Sequence, residues 1–185
     1  MQRQQLQHVI LEIGRRFDLR EFHVIGSAAI LAALPDPPPG ALTATRDVDI
    51  IPPGGDERLA DQISFVLGEA SDFDIEYGYY VQGVGARTPA FAPTDWQARA
   101  IPVRVAEYTA WCMEPHDLVL SELGAGRDKD LDFARDTAAL GLVDRDELLA
   151  RLESVNCTAE QRQQIGARAK ALFPRSAAGE PPGAA

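Results

Sequence analysis

Two short runs carry residue types suited to phosphate chemistry, "VIGSAAI" at 24–30 and "TRDVDII" at 45–51. In the first, an apolar run ends at Gly26 and Ser27, where a helix is expected to begin. Backbone N–H groups at such a helix start, with a hydroxyl beside them, suit a phosphate. Gly26 lets the backbone approach closely. In the second, Asp47 and Asp49 alternate with Val48 and Ile50, so on a strand both carboxylates project to one side. Two carboxylates so placed suit a hard divalent cation such as Mg²⁺ or Mn²⁺. Phosphoryl and nucleotidyl transfer need little else from a protein, being mostly positioning and charge neutralisation. Two metals ~4 Å apart would clamp the attacking and leaving oxygens. Each run alone has an ordinary reading, a helix cap or a solvated strand face. The aspartates, however, lie in a strand that looks central, where a carboxylate needs a partner or a metal.

The surrounding pattern supplies elements to position these groups. Leu6, Val9, Ile10, Ile13 and Phe17 recur at helical spacing, so residues 2–18 read as an amphipathic helix. "EFHVIG" reads as a strand, "SAAILAAL" as a helix capped by Ser27, and Pro35 to Pro39 as a loop. "TRDVDIIP" reads as a strand and "GGDERLADQISFVLGEA" as a helix with Leu59, Ile63, Val66 and Leu67 on one face. "DFDIEYGYYVQGV" is aromatic and β-branched and reads as a strand or hairpin arm, and "IPVRVAEYTAWCM" as a further strand. After Glu114 the pattern predicts only helices. They begin at Pro115, around Arg127, at the acidic "DRDE" turn and at Thr158, which forms a capping box with Gln161. The expected organisation is a mixed α/β core over 1–113, a helical part over 114–173 and a disordered Pro-rich tail over 174–185.

Composition narrows the partners. A formal net charge of −10 argues against an extended nucleic-acid surface, though a local basic cleft is compatible with it. Lys129 and Lys170 are the only lysines, and no GxxxxGK[ST] phosphate loop occurs. Cys112 and Cys157 have no metal or disulfide spacing. No apolar stretch approaches the ~20 residues of a membrane helix, and the first residues have no signal-peptide layout, so a cytoplasmic protein is expected.

The order strand, Gly-Ser turn, helix, loop, Asp-x-Asp strand resembles the nucleotidyltransferase superfamily. The chain is more narrowly similar to its AbiEii/MNT-type branch, many of whose members belong to bacterial toxin–antitoxin loci. Three landmarks carry this: "VIGSAAI…TRDVDII", "YGYYVQGVG" with "PTDWQARAIPV" after it, and "WCMEPHDLVLSELGAGRDKDLDFA", the most specific. Together they span roughly residues 20 to 152. The resemblance implies an α/β nucleotidyltransferase-like mixed sheet flanked by helices, with a C-terminal helical part. It implies that Gly26 and Ser27 face phosphate, that Asp47 and Asp49 hold the metal, and that Arg127, Lys129 and Asp130 belong to a nucleotide-binding run. Arg127 and Lys129 open a predicted helix, where they would meet a triphosphate or hold Asp130 in an ion pair.

Members of the superfamily usually add a third acid from a later strand. Glu76 and Glu107 are the candidates, and Glu76 is preferred because it lies on the next predicted strand with Asp74 on its face. Two departures bear on activity. Glu122 stands where the pattern has a lysine, and Gln82 where it has an acid. The implied function is Mg-dependent transfer of a nucleotidyl group from NTP to an RNA or protein hydroxyl, within a two-gene system whose partner is encoded nearby. The alternative is a catalytically degenerate nucleotide-binding or protein-interaction module.

Overall fold

A computed structural model describes residues 1–173, so the expected tail at 174–185 lies outside the described residues. Helix α1 (Arg3–Phe17) buries Leu6, Val9, Ile10 and Ile13, the stripe its spacing predicts. Strand β1 (Glu21–Ile25) leads into Gly26 and a 3₁₀ turn, Ser27–Ala32. An α-helix was expected here. The segment is short, is stopped by Pro35 and is buried along Ala28–Leu31, so a tighter turn fits the space. Gly26 rather than Ser27 occupies the cap position, so the Ser27 hydroxyl is not used as a cap.

Strand β2 (Asp47–Ile51) follows the Pro-rich loop, and helix α2 (Glu57–Leu67) is capped by Asp56, which accepts from Leu59 N at 3.1 Å. The aromatic run then departs from expectation. It forms helix α3 (Asp72–Tyr77) and only afterwards strand β3 (Tyr80–Gly83). Ser71 caps α3, Asp72 and Asp74 sit in its first turn, and Gly78 at φ 76° ends it. These end signals outweigh the β preference of the aromatic residues between them. The predicted strand 101–113 is likewise two, β4 (Ile101–Val105) and β5 (Tyr108–Cys112), paired antiparallel with Ala106 at φ 51° in the connecting turn. No glycine marks that turn, so composition concealed it.

The sheet runs β3-β2-β1-β5-β4, with β1–β2 and β4–β5 antiparallel and β1–β5 and β2–β3 parallel. The chain therefore has the mixed α/β sheet flanked by helices that was expected, with β2 inside it. Helices α4 (Pro115–Ala125), α5 (Asp128–Ala139), α6 (Arg145–Leu152) and α7 (Ala159–Ala171) complete the described fold. They enclose a second hydrophobic cluster around Leu120, Leu123, Leu148, Leu152 and Ile165. Leu118 of α4 and Phe133 of α5 instead join the core under the sheet. A buried carboxylate pins this arrangement. Asp117 accepts from Arg99 Nε at 2.9 Å and Nη2 at 3.0 Å, and from Arg151 Nη1 at 3.0 Å. Among the described residues no helix is long and apolar enough to cross a membrane.

Candidate active site

The turn after β1 and the aspartates of β2 meet directly. The strands pair with Ile25 opposite Asp49, so the residue after Ile25 lies over that carboxylate. A Cβ placed on Gly26 would collide with Oδ2 of Asp49. Gly26 has φ 66° and ψ −176°, a conformation other residues rarely adopt. The glycine is therefore required both by backbone shape and by the closeness of the carboxylate.

Asp47 and Asp49 alternate with the buried Val48 and Ile50 and share one face of β2, as their spacing predicts. Thr45 Oγ1 donates to Asp47. Burial raises the Asp49 carboxyl to about 7, and the charge of Asp47 adds to the rise, while Lys129 and Arg127 pull it down. Two acids that repel each other in a desolvated place form a donor set that a divalent cation would relieve.

Ser27, Asp47 and Lys129 line one hollow of about 570 Å³, together with Thr45, Arg46 and Tyr80. Its size suits a small-molecule ligand. A larger recess of about 870 Å³, between the start of α1 and the Pro-rich loop, includes Asp36 but not the aspartate pair. Tyr80 pairs with Asp47 in the β2–β3 register, so the ring stands beside the carboxylate on the same face. Arg46 lies over that ring at 6.0 Å and is held by Gly78 O at 2.9 Å and by Asp74 at 2.7 Å. Arg46 precedes the strand, and its length brings it around the strand end to the hollow.

The Arg-x-Lys-Asp run divides its roles. Lys129 lines the hollow. Asp130 is buried and does not line it. Instead it accepts from Arg127 N at 3.0 Å, Nε at 2.8 Å and Nη2 at 3.0 Å. Arg127 is thereby steadied at the start of α5, where its charge still reaches Asp49.

Glu122 explains its own departure. It is buried on α4, and burial together with the charge and hydrogen bond of Asp130 pushes its carboxyl up to about 8. Burial also pushes Asp130 up, but the hydrogen bonds from Arg127 outweigh it and hold that group low. Burial and the neighbouring Asp130 thus favour the protonated form of Glu122, which lies outside the lining of the aspartate hollow.

The third acid is where expectation and structure part. Glu76 is on α3 rather than a strand, and it lines a surface groove with Arg16 and Phe65, apart from the aspartate hollow. Glu107 sits in the turn between β4 and β5. The position that faces Asp49 across the β2–β3 ladder is Gln82. It projects to the same side, so an acid there would stand next to the pair. Among the described residues no three His, Cys, Asp or Glu side chains converge as a metal site.

Residues outside this set play other parts. Tyr79 is core and hydrogen-bonds His8 at 2.6 Å. His116 bridges Glu114 Oε1 at 2.8 Å and the Asp144 N–H at 2.9 Å, a structural link between α4 and α6. Thr45 and Asp132 lie inside the quoted runs but were assigned no role there, since only folding brings them to the hollow.

A mixed sheet with an acidic pair on an inner strand, covered by a glycine turn leading into a helical segment, is a nucleotidyltransferase-type arrangement. The family follows from comparison with family models. Residues 4–170 match the family described as "Nucleotidyltransferase of unknown function (DUF6036)", and the chain belongs to it. No curated protein matches the chain, and no solved structure does.

Proposed function

We propose that this chain binds a nucleoside triphosphate with Mg²⁺ or Mn²⁺ and transfers its nucleotidyl group to a hydroxyl of a protein or RNA. The observation that carries the reading is the abutment of Gly26 on Asp49, whose chain neighbours Ser27 and Asp47 line one hollow with Lys129. Asp47 and Asp49 would hold the cation, which supplies charge neutralisation at the phosphates. The Gly26–Ser27 turn offers N–H groups and a hydroxyl to the phosphate chain. Lys129, helped by Arg127, offsets charge that builds on the leaving pyrophosphate. Tyr80, stiffened by Arg46, gives a flat wall on which a base can stack. The net charge of −10 favours a protein acceptor over RNA. We place the chain in the AbiEii/MNT-type branch as a cytoplasmic toxin–antitoxin component with a partner from a neighbouring gene.

Gln82 favours a second reading. A neutral amide beside Asp49 leaves the donor set one carboxylate short of a two-cation site. On that reading the chain is a nucleotide-binding antitoxin or regulator without turnover. Incubation with α-labelled NTPs and Mg²⁺, using wild type and Gln82→Asp, separates the two. Label transferred by wild type supports the enzyme. Label transferred only by Gln82→Asp supports the degenerate module. Nucleotide bound but never transferred by either protein removes the catalytic reading.

A further inference from the structure

We propose that the outer face of α2 and α3 is the docking site for a basic polypeptide partner, held by apolar anchors and an acidic rim. Helix α2 buries Ala60, Ile63 and Leu67 against the sheet. Its other side carries Phe65, 87% exposed, with Val66 beside it, which the spacing had placed on the buried face and which lies at that face's outer edge. Helix α3 adds Ile75, 77% exposed, and Tyr77. Phe65, Val66 and Tyr77 line a groove of about 410 Å³ between the two helices. Tyr77 packs on the buried Phe73 at 4.9 Å, whereas Phe65 and Ile75 stand out into water, Phe65 on the groove and Ile75 outside its lining. Exposed apolar side chains along a groove mark an interaction surface.

The charge around the patch selects the occupant. Asp61, Glu69, Asp72, Asp74 and Glu76 fall between residues 61 and 77, and no arginine or lysine does. Asp74 is paired with Arg46, and Arg16 on the groove's edge is paired with Glu12 at 2.7 Å. Four carboxylates remain, against one further exposed cation on α2, Arg58, so an acidic excess is left to meet a partner's cations. A nucleic acid or an anionic membrane surface is repelled by the same acids. A second copy paired about a two-fold axis would set this acidic rim against itself, in a chain already at −10. A segment with two or three apolar side chains on one helical face and Arg or Lys beside them satisfies both features. The groove is separate from the aspartate hollow, and the link between them is Asp74 of α3, which holds the Arg46 over Tyr80. The inference does not depend on the hollow being catalytic.

The test uses the full chain and two synthetic amphipathic helices with the same leucine face, one with arginine and one with glutamate on the polar face. The arginine helix is expected to bind, the glutamate helix not. Phe65→Ala/Ile75→Ala should weaken binding by about thirtyfold or more. Asp72→Lys/Glu76→Lys should weaken the arginine helix and admit the glutamate helix. Both variants alter exposed side chains, and unchanged melting curves confirm their fold. No binding of the arginine helix, or binding that neither variant changes, overturns the proposal. So does sedimentation of the wild type as a dimer that Phe65→Ala/Ile75→Ala dissociates, which would make the occupant a second copy.

Discussion

Replacing Glu122 by glutamine tests whether the buried carboxyl of α4 holds a proton. In the folded chain that carboxyl is raised from 4.5 to about 8, by burial first and by Asp130 second. In the unfolded chain it titrates as an ordinary glutamate. Between those values the folded state keeps a proton that the unfolded state has released, so stability falls as pH rises through the interval. One retained proton gives a slope of about 1.4 kcal/mol per pH unit, or ~2.7 kcal/mol from about pH 5.5 to about pH 7.5. Asp130 shares that proton, which reduces the expected loss to about 1–2 kcal/mol, or roughly 3–6 °C of melting temperature in a domain of this size. The amide introduced by Glu122→Gln would keep an N–H donor for Asp130 and have no proton to lose. Melts of wild type and Glu122→Gln followed by circular dichroism across this range give the difference directly, because other titrating groups cancel. The wild-type curve should fall below the variant's progressively as pH rises. Parallel curves would refute the shared proton.

Gly26→Ala should abolish nucleotide binding and cost about 1–3 kcal/mol or more of stability, since it combines a glycine-only conformation with a collision against Asp49; calorimetry and urea unfolding read the two effects. Asp117→Ala should destabilise the chain by about 1–3 kcal/mol in urea unfolding, because Arg99 and Arg151 lose their buried acceptor but keep Asp95, Glu114 and Glu147. Gln82→Asp should tighten Mn²⁺ binding by about tenfold, or ~1.4 kcal/mol, read by calorimetry, because it adds a carboxylate opposite Asp49. Tyr80→Ala should weaken NTP binding by about 1–3 kcal/mol if the base stacks on that ring, and should leave binding of inorganic triphosphate unchanged.

The local geometry of the glycine turn and the aspartate pair was legible because its signals are local. Gly26 marks a backbone that only glycine adopts, and the alternation of Asp47 and Asp49 with Val48 and Ile50 sets their shared face before any fold is known. The C-terminal helices announced themselves through Pro115, Thr158 and their acidic first turns. What failed was long-range or masked. Capping by Ser71 and Gly78 turned an aromatic run into a helix, which removed Glu76 from the sheet. Parallel register, which no short pattern encodes, set Tyr80 against Asp47 and Gln82 against Asp49. The raised carboxyl of Glu122 was not legible because it depends on burial first and then on Asp130, eight positions later in the chain.

The most direct measurement is calorimetric titration of NTPs with Mg²⁺ into the wild type and into Asp47→Ala/Asp49→Ala. One bound NTP per chain is expected, dependent on Mg²⁺ or Mn²⁺ and lost in the double variant with its fold intact. Absence of binding to every NTP with either metal, or binding that survives the double substitution, would contradict a metal-dependent nucleotide site at Asp47 and Asp49.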